Sequence, residues 1–172
     1  TVYDFNLNRT NINEIEKLPG FSEQEEKLLD SANFFASGAT FNFKVSHQLS
    51  VAISKMQGLT NAIRRATPDV VVYGEQYERA LSAQIIMLAP FAPHFASELW
   101  SRFIAAPNRV NEKSEYIRWS EDVFAQQWPR VDSQHPIELN VKVNNSFVYK
   151  FKVCSGELNK LSQEQAIVRA LE

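Results

Sequence analysis

Residues 41–65 read Phe-Asn-Phe-Lys-Val-Ser-His-Gln-Leu-Ser-Val-Ala-Ile-Ser-Lys-Met-Gln-Gly-Leu-Thr-Asn-Ala-Ile-Arg-Arg. Phe41, Val45, Leu49, Ala52, Met56, Leu59 and Ile63 recur at steps of four and three, the period of one helix face. The stretch therefore predicts an amphipathic helix of about six turns. Thr67-Pro68-Asp69 closes it, because proline restricts the residue before it and cannot extend the ladder. A long helix with one apolar side needs partners, and both flanks supply them. Upstream, Ser22-x-x-Glu25 has the capping-box pattern. Leu28, Leu29, Ala32, Phe35 and Ala36 then share a side, with Gly38 as the expected stop. Downstream, a helix is expected from Glu75 to Ala89. Its second half (Ala83, Ile85, Ile86, Met87, Leu88) is apolar nearly all round, which implies a central position. Pro90 and Pro93 break that ladder, and Pro93 suits the first turn of a further helix with Phe95, Leu99 and Phe103 facing in.

The remainder is less periodic until residue 137. Residues 1–20 are polar and Asn-rich and read as a lead-in with at most one short helix around Ile12–Leu18. Residues 105–119 form a polar connection, and Ser120 is a candidate cap for a short helix before Trp128-Pro129. From Ile137 the period becomes two: Ile137, Leu139, Val141, Val143, then Phe147, Tyr149, Phe151 and Val153, on either side of Asn144-Asn145. That alternation predicts a β-hairpin with one buried face. Odd positions on both strands share a face only if facing pairs have even sums. A three-residue loop Val143-Asn144-Asn145, with Asn145 left-handed, would pair Val141 with Phe147 and Glu138 with Lys150. Ser162-x-x-Gln165 then caps a last helix with Ala166, Ile167, Ala170 and Leu171. The expected architecture is mainly α: a lead-in over 1–20, a helical bundle over 21–132, and over 133–172 a small α/β unit with a β-hairpin and a helix, whose end could lie beyond Glu172.

Composition narrows the function classes. The 172 residues are 44% hydrophobic and 22% charged, an ordinary globular balance, and 12 Phe with 3 Trp suffice for a core. Net charge is −2, so attraction to a polyanion has to be local. Cys154 stands alone, which excludes an internal disulfide and a multi-cysteine metal site. His47, His94 and His135 are scattered and read as structural or solvated. There is no Gly-rich phosphate loop, no nucleophile elbow and no paired carboxylates, so no catalytic residue and no metal site is expected. The longest apolar run, near Ile85–Phe95, is too short to cross a membrane. The chain opens on Thr1, and a piece of a longer protein is expected.

The informative feature is a charge gap. No acidic residue lies between Asp30 and Asp69, yet Lys44, Lys55, Arg64 and Arg65 all do. On one continuous helix, Lys44, His47, Lys55 and Arg65 would border the apolar stripe on one side and Arg64 on the other. A flank of one sign can follow phosphates without high total charge. The plainer interpretation, a solvated helix flank, stays open at this level. Lys142, Lys150 and Lys152 fall on the even face of the hairpin, where solubility or edge protection is the competing explanation.

The stretch Leu88-Ala-Pro-Phe-Ala-Pro-His-Phe-Ala-Ser-Glu-Leu-Trp100 resembles the bundle domain of the class I aminoacyl-tRNA synthetases for leucine, isoleucine, valine and methionine. Ala-Pro-Phe-Ala-Pro-His followed by Glu-Leu-Trp looks most like the leucyl-tRNA synthetases. Residues 41–65 are similar to the long bundle helix, and Trp128-Pro129 to the Trp-Pro closing the bundle. Leu139-x-Val-x-Val-Asn144-Asn145 resembles the Val-x-Val-Asn-Gly-Lys hairpin of the bacterial-type C-terminal domain, with Asn145 in place of Gly and Ser146 in place of Lys. The resemblance spans about Glu25 to Val153. It implies a class Ia anticodon-binding type of bundle that positions tRNA through Lys44, Lys55, Arg64, Arg65, Lys150 and Lys152. The nucleotide-binding signatures His-Ile-Gly-His and Lys-Met-Ser-Lys-Ser are absent, and Ser54-Lys55-Met56 is not the second of them. ATP and magnesium, which the resemblance implies for the parent enzyme, would bind elsewhere. The implied partners are tRNA and the rest of the synthetase chain, with no membrane and no oligomer. The longer 105–127 connection and the Asn-Asn hairpin resemble the animal mitochondrial branch, so the mitochondrial matrix is expected, with the cytoplasm as the alternative. The same region of an isoleucyl-, valyl- or methionyl-tRNA synthetase, or a helical protein-interaction module, are the competing identities.

Overall fold

A computed structural model describes residues 19–106, 110, 116–132, 136–143 and 146–154. The short helix anticipated around Ile12–Leu18 and the one capped by Ser162 lie outside the described residues. The chain is mainly helical and divides into two compact units, Thr1–Arg130 and Val131–Glu172. In order come α1 (Phe21–Lys44), α2 (Leu49–Arg64), α3 (Pro68–Tyr73), α4 (Glu75–Leu88), α5 (Pro93–Ile104), β1 (Pro136–Val143) and β2 (Ser146–Cys154).

The helix expected over 41–65 is in fact two. Phe41–Lys44 finish α1, and the chain reverses through Val45–Gln48 with His47 at φ 53°. His is among the few non-glycine residues that reach this left-handed region with any frequency. The turn holds its own backbone. The amides of Val45 and Ser46 donate to Phe41 O at 2.9 and 3.1 Å, and Gln48 N–H donates to Asn42 O at 2.9 Å. Gly38, the anticipated stop, lies inside α1. Its missing Cβ leaves room for the Lys55 stem, whose Cδ would be 3.1 Å from a methyl placed there. The four-and-three period survives the break, because a turn that reverses the chain can leave the spacing of apolar residues unchanged.

Ser22-x-x-Glu25 also acts differently from its pattern. Gly20, at φ 85°, begins α1 with no side-chain cap. Glu25 reaches instead to the start of α4, where Gln76 N–H donates to its Oε2 at 3.3 Å. A carboxylate at a helix N-terminus satisfies orphan amides and meets the positive end of the helix dipole. Gly74 permits the approach, since a Cβ there would stand 2.4 Å from Val70 O and 2.5 Å from Glu25 Oε1.

Two cores result. Leu28, Ala32 and Ala36 of α1 pack on Met56, Leu59 and Ile63 of α2 and on Ala80 and Met87 of α4. α1 and α2 approach closely because Phe35 lies on Gly58, where a Cβ would meet the ring at 2.2 Å. The second core joins Ile85, Ile86 and Ala89 to Ala96 and Trp100 of α5, and to Ile117 and Val123. Trp100 is 1% exposed and donates its indole N–H to Glu121 O at 2.9 Å, an architectural role. Phe95, expected to face in, is exposed, and Ala96 and Trp100 take the inward face. No helix forms between Ser120 and Trp128. Asp122 Oδ1 accepts the amides of Phe124 and Ala125 at 2.8 and 3.0 Å, making a capped turn. Trp128 returns the chain to α1, stacked on Phe43 at 5.5 Å and donating to Thr40 Oγ1 at 2.8 Å.

In the second unit β1 and β2 run antiparallel. Val141 pairs with Tyr149, Leu139 with Phe151 and Glu138 with Lys152, two residues away from the register derived above. Near the turn the register shifts, so that Lys142 pairs with Phe147 and Val143 with Ser146, passing over Val148. Odd positions still meet odd positions over most of the ladder. The register shift at Val141/Lys142 leaves Val148 as one extra residue on β2. Asn145 lies outside the described residues.

Candidate nucleic-acid interface

The acid-free span 31–68 is the latter part of α1, the turn, all of α2, the link 65–67 and the first residue of α3. Breaking the long helix redistributes its cations. α2 runs back along α1, so Lys44 sits at the hairpin tip, whereas Arg64 and Arg65 sit at the far end, about 22 Å away by helix rise. Lys55 lies between them, roughly 9 Å from the start of α2. The four do not form one flank of one helix, and the continuous row expected from sequence is withdrawn.

Their local settings differ. Lys44 occupies the last turn of α1, with Nζ 5.8 Å from the centre of the Trp128 ring. Arg64 occupies the last turn of α2 and Arg65 is its C-cap, so these three meet the negative ends of helix dipoles. That location alone would account for a positive charge. Lys55 has no such account: it is mid-helix, half-buried, and holds Nζ 4.9 Å from the centre of the Phe34 ring. Among the described residues none of the four joins an ion pair. The pairs present are Lys27–Glu23, Arg102–Glu98 and Arg118–Glu121, each three or four residues apart. Cations outside any ion pair are free to neutralise phosphate. Lys150 and Lys152 lie on β2, opposite Asn140 and Glu138.

The carboxylates of α1 lie at the foot of the hairpin, the end that also carries Arg64 and Arg65. Burial pushes the Glu25 carboxyl above its ordinary range, while the amides of Gln76, Tyr77 and Glu75 pull it down without cancelling that effect. Its role is structural, since it caps α4. No cluster of three metal-ligating side chains occurs among the described residues. No helix among them is long and apolar enough to cross a membrane. His47 forms the turn and His94 is exposed at the start of α5, while His135 lies outside the described residues.

Sequence reasoning passed over Phe34. It falls off the buried stripe of α1 and so carried no helical signal. The available clue was a second row, Phe34, Gly38, Phe41 and Val45, at the same helical spacing on the opposite side.

A helical bundle with an acid-free span of four cations outside any ion pair is a class of domain suited to RNA. The sequence profile of the family described as anticodon-binding domain of tRNA ligase matches residues 27–169, and the chain belongs to that family. It is 31% identical over 133 residues to the mouse (Mus musculus) protein named probable leucine–tRNA ligase, mitochondrial, covering 74% of this chain and 14% of that one. Its counterpart from Pongo abelii is 32% identical over 135 residues, 76% of this chain and 15% of that protein. The leucine–tRNA ligase of Trichormus variabilis is 28% identical over 167 residues, 92% of this chain and 17% of that protein. The chain therefore spans about a sixth or less of the curated relatives it matches.

Proposed function

We propose that this chain is the tRNA-holding, non-catalytic part of a leucine–tRNA ligase. The whole enzyme would join leucine to its tRNA with ATP and magnesium bound in other parts of the polypeptide. In this reading residues 21–132 are the tRNA-binding bundle. Residues 133–172 are a small α/β unit in which the hairpin is followed by a helix. The parent would act in the mitochondrial matrix, an assignment supported by the names of the mouse and Pongo abelii relatives, with bacterial relatives keeping the cytoplasm as the alternative. The rest of the synthetase chain is the other partner, and no oligomer is needed.

The observation that carries the reading is the set of cations outside any ion pair, Lys44, Lys55, Arg64 and Arg65, within the acid-free span 31–68. Such groups release counterions from phosphates, which is indifferent to base identity. Lys150 and Lys152 add a smaller contribution from the second unit. The test is a salt titration of tRNA affinity for the wild type and a variant carrying K44Q, K55Q, R64Q and R65Q. The variant should bind more weakly, and its salt dependence should be shallower by up to about one unit of slope per lost phosphate contact. Equal affinity and slope in a variant that melts normally would show the cations to be solvated surface. The chain alone should neither activate leucine nor charge tRNA, and leucine-dependent ATP–pyrophosphate exchange by it would overturn the division of labour.

A further inference from the structure

The outer side of α1 carries a feature that charge does not explain. Phe34, Gly38, Phe41 and Val45 share one face, about half a turn from the buried row of Leu28, Ala32, Ala36 and Ala39. Phe34 is 56% exposed, Phe41 55% and Val45 63%. Of the eight large hydrophobic side chains exposed among the described residues, five fall between Phe34 and Ile53. Apolar groups gathered in this way mark a contact surface, whereas single exposed ones need no explanation.

The surface is also preorganised. The Phe34 ring meets Phe35 edge-on, with centroids 5.2 Å apart and planes at 75°, and Phe35 is itself wedged against Gly58. From α2 the Lys55 stem crosses over Gly38 and sets its ammonium above the Phe34 ring. A cation is thus built into an aromatic row, held by contacts at both ends of its side chain.

That cation decides what can cover the row. An apolar protein surface docking here would take the Lys55 ammonium out of water, which is costly unless an anion meets it. Protein interfaces are accordingly depleted in lysine at their centres. The surrounding residues 31–68 contain no carboxylate to neutralise it. An unpaired RNA strand offers both complements: bases have faces that stack on aromatic rings, and the phosphates between them pair with ammonium groups. We propose that the outer face of α1 is a stacking site for unpaired RNA nucleotides, with Phe34 and Phe41 as base platforms and Lys55 as the phosphate contact. The two platforms are about 10 Å apart along the helix, so the site takes a short stretch of strand rather than one base. The natural source of that strand, an unpaired stretch of tRNA, rests on the function proposed above. The recognition chemistry does not.

The test uses the whole chain, with fluorescence anisotropy of labelled oligouridylate, oligoadenylate, an RNA duplex of matching length, and tRNA. Replacing both platforms (F34L and F41L) keeps apolar surface and removes the rings. Affinity for the single strands should fall about 5- to 100-fold, with the salt slope unchanged and duplex binding unaffected. K55Q should instead make the slope shallower by up to about 0.7. Wild-type protein that ignores the single strands, or a double variant that binds them as wild type does, overturns the site. If tRNA binding responds to the four-cation variant while the double Phe variant is silent, the site fails and the tRNA-holding function stands. Single strands bound through Phe34 without any tRNA affinity give the converse. A wild-type dimer in sedimentation that F34L and F41L dissociate would assign the row to a second copy of the chain and overturn the proposal.

Discussion

The two ends of the α1–α2 hairpin follow opposite rules. At the foot, polar groups are spent internally. Glu25 is half-buried against the first amides of α4, and Thr67 donates to Gln24 Oε1 at 2.8 Å. Glycine appears there because side chain and backbone meet without room for a methyl. Toward the tip the acids vanish, Lys44 and Lys55 lie over aromatic rings outside any ion pair, and Phe34, Phe41, Val45, Leu49 and Ile53 face solvent. The foot is closed and specified by packing; the outer face toward the tip is open and specified by what it leaves unsatisfied. Mutations of the packed groups at the foot should therefore act on stability, and mutations on that open face on binding.

The strongest test of the contrast is Gly74→Ala. A Cβ at 2.4 Å from Val70 O meets backbone, which cannot swing aside, and it also displaces Glu25. A loss of about 3 kcal/mol is expected in denaturant unfolding; an unchanged midpoint would mean the foot is looser than described. Next comes Trp128→Leu, on the inner side of the tip. It removes the stack on Phe43 and the bond to Thr40 Oγ1, and about 2 kcal/mol should go with them. A neutral effect would show that the closing segment adds nothing to the bundle.

Glu25→Gln sharpens the comparison through pH. Because burial raises the folded carboxyl pKa, ionisation of Glu25 opposes folding. Its favourable contribution is complete below the ordinary carboxylate range and fades as pH rises through the raised value. Thermal melts across acidic to neutral pH should show the wild type losing ground to the Gln variant in that window, and parallel curves would refute the assignment. At the turn, His47→Gly should raise stability by about 0.5–1 kcal/mol, because glycine adopts φ 53° without the Cβ conflict. A destabilised variant would imply that the imidazole has a contact of its own. The smallest effect belongs to F34L with F41L, which should alter the melting free energy by no more than about 0.5 kcal/mol while changing single-strand RNA binding. A large stability loss would place these rings in the core.

α4 was legible because its limits are local chemistry: Gly74 precedes it, and Pro90 follows an apolar run that only a central helix would carry. α5 was legible from Pro93 at its first turn. Of the candidate site, composition alone disclosed the acid-free span and its four cations. The break at Val45–Gln48 was not legible. A turn there keeps the four-and-three spacing intact, and His47 has only a weak preference for the left-handed region.

What the amino-acid order determined by itself, then, is the set of helix and strand periods, the proline stops and the absence of acid from residues 31–68, since each depends only on near neighbours along the chain. Which stripe faces inward was settled by tertiary packing. Phe41, Val45 and Leu49 belong to the same four-and-three row as Met56, Leu59 and Ile63, yet only the latter pack into the core with α1 and α4, while the former are left outside by a reversal of the chain. Glu25 caps α4 rather than its own helix for the same reason: its partner amides are some fifty residues away and arrive beside it only when the hairpin and α4 have packed. Periodicity is a property of one segment, and burial is a property of the segments that happen to lie beside it.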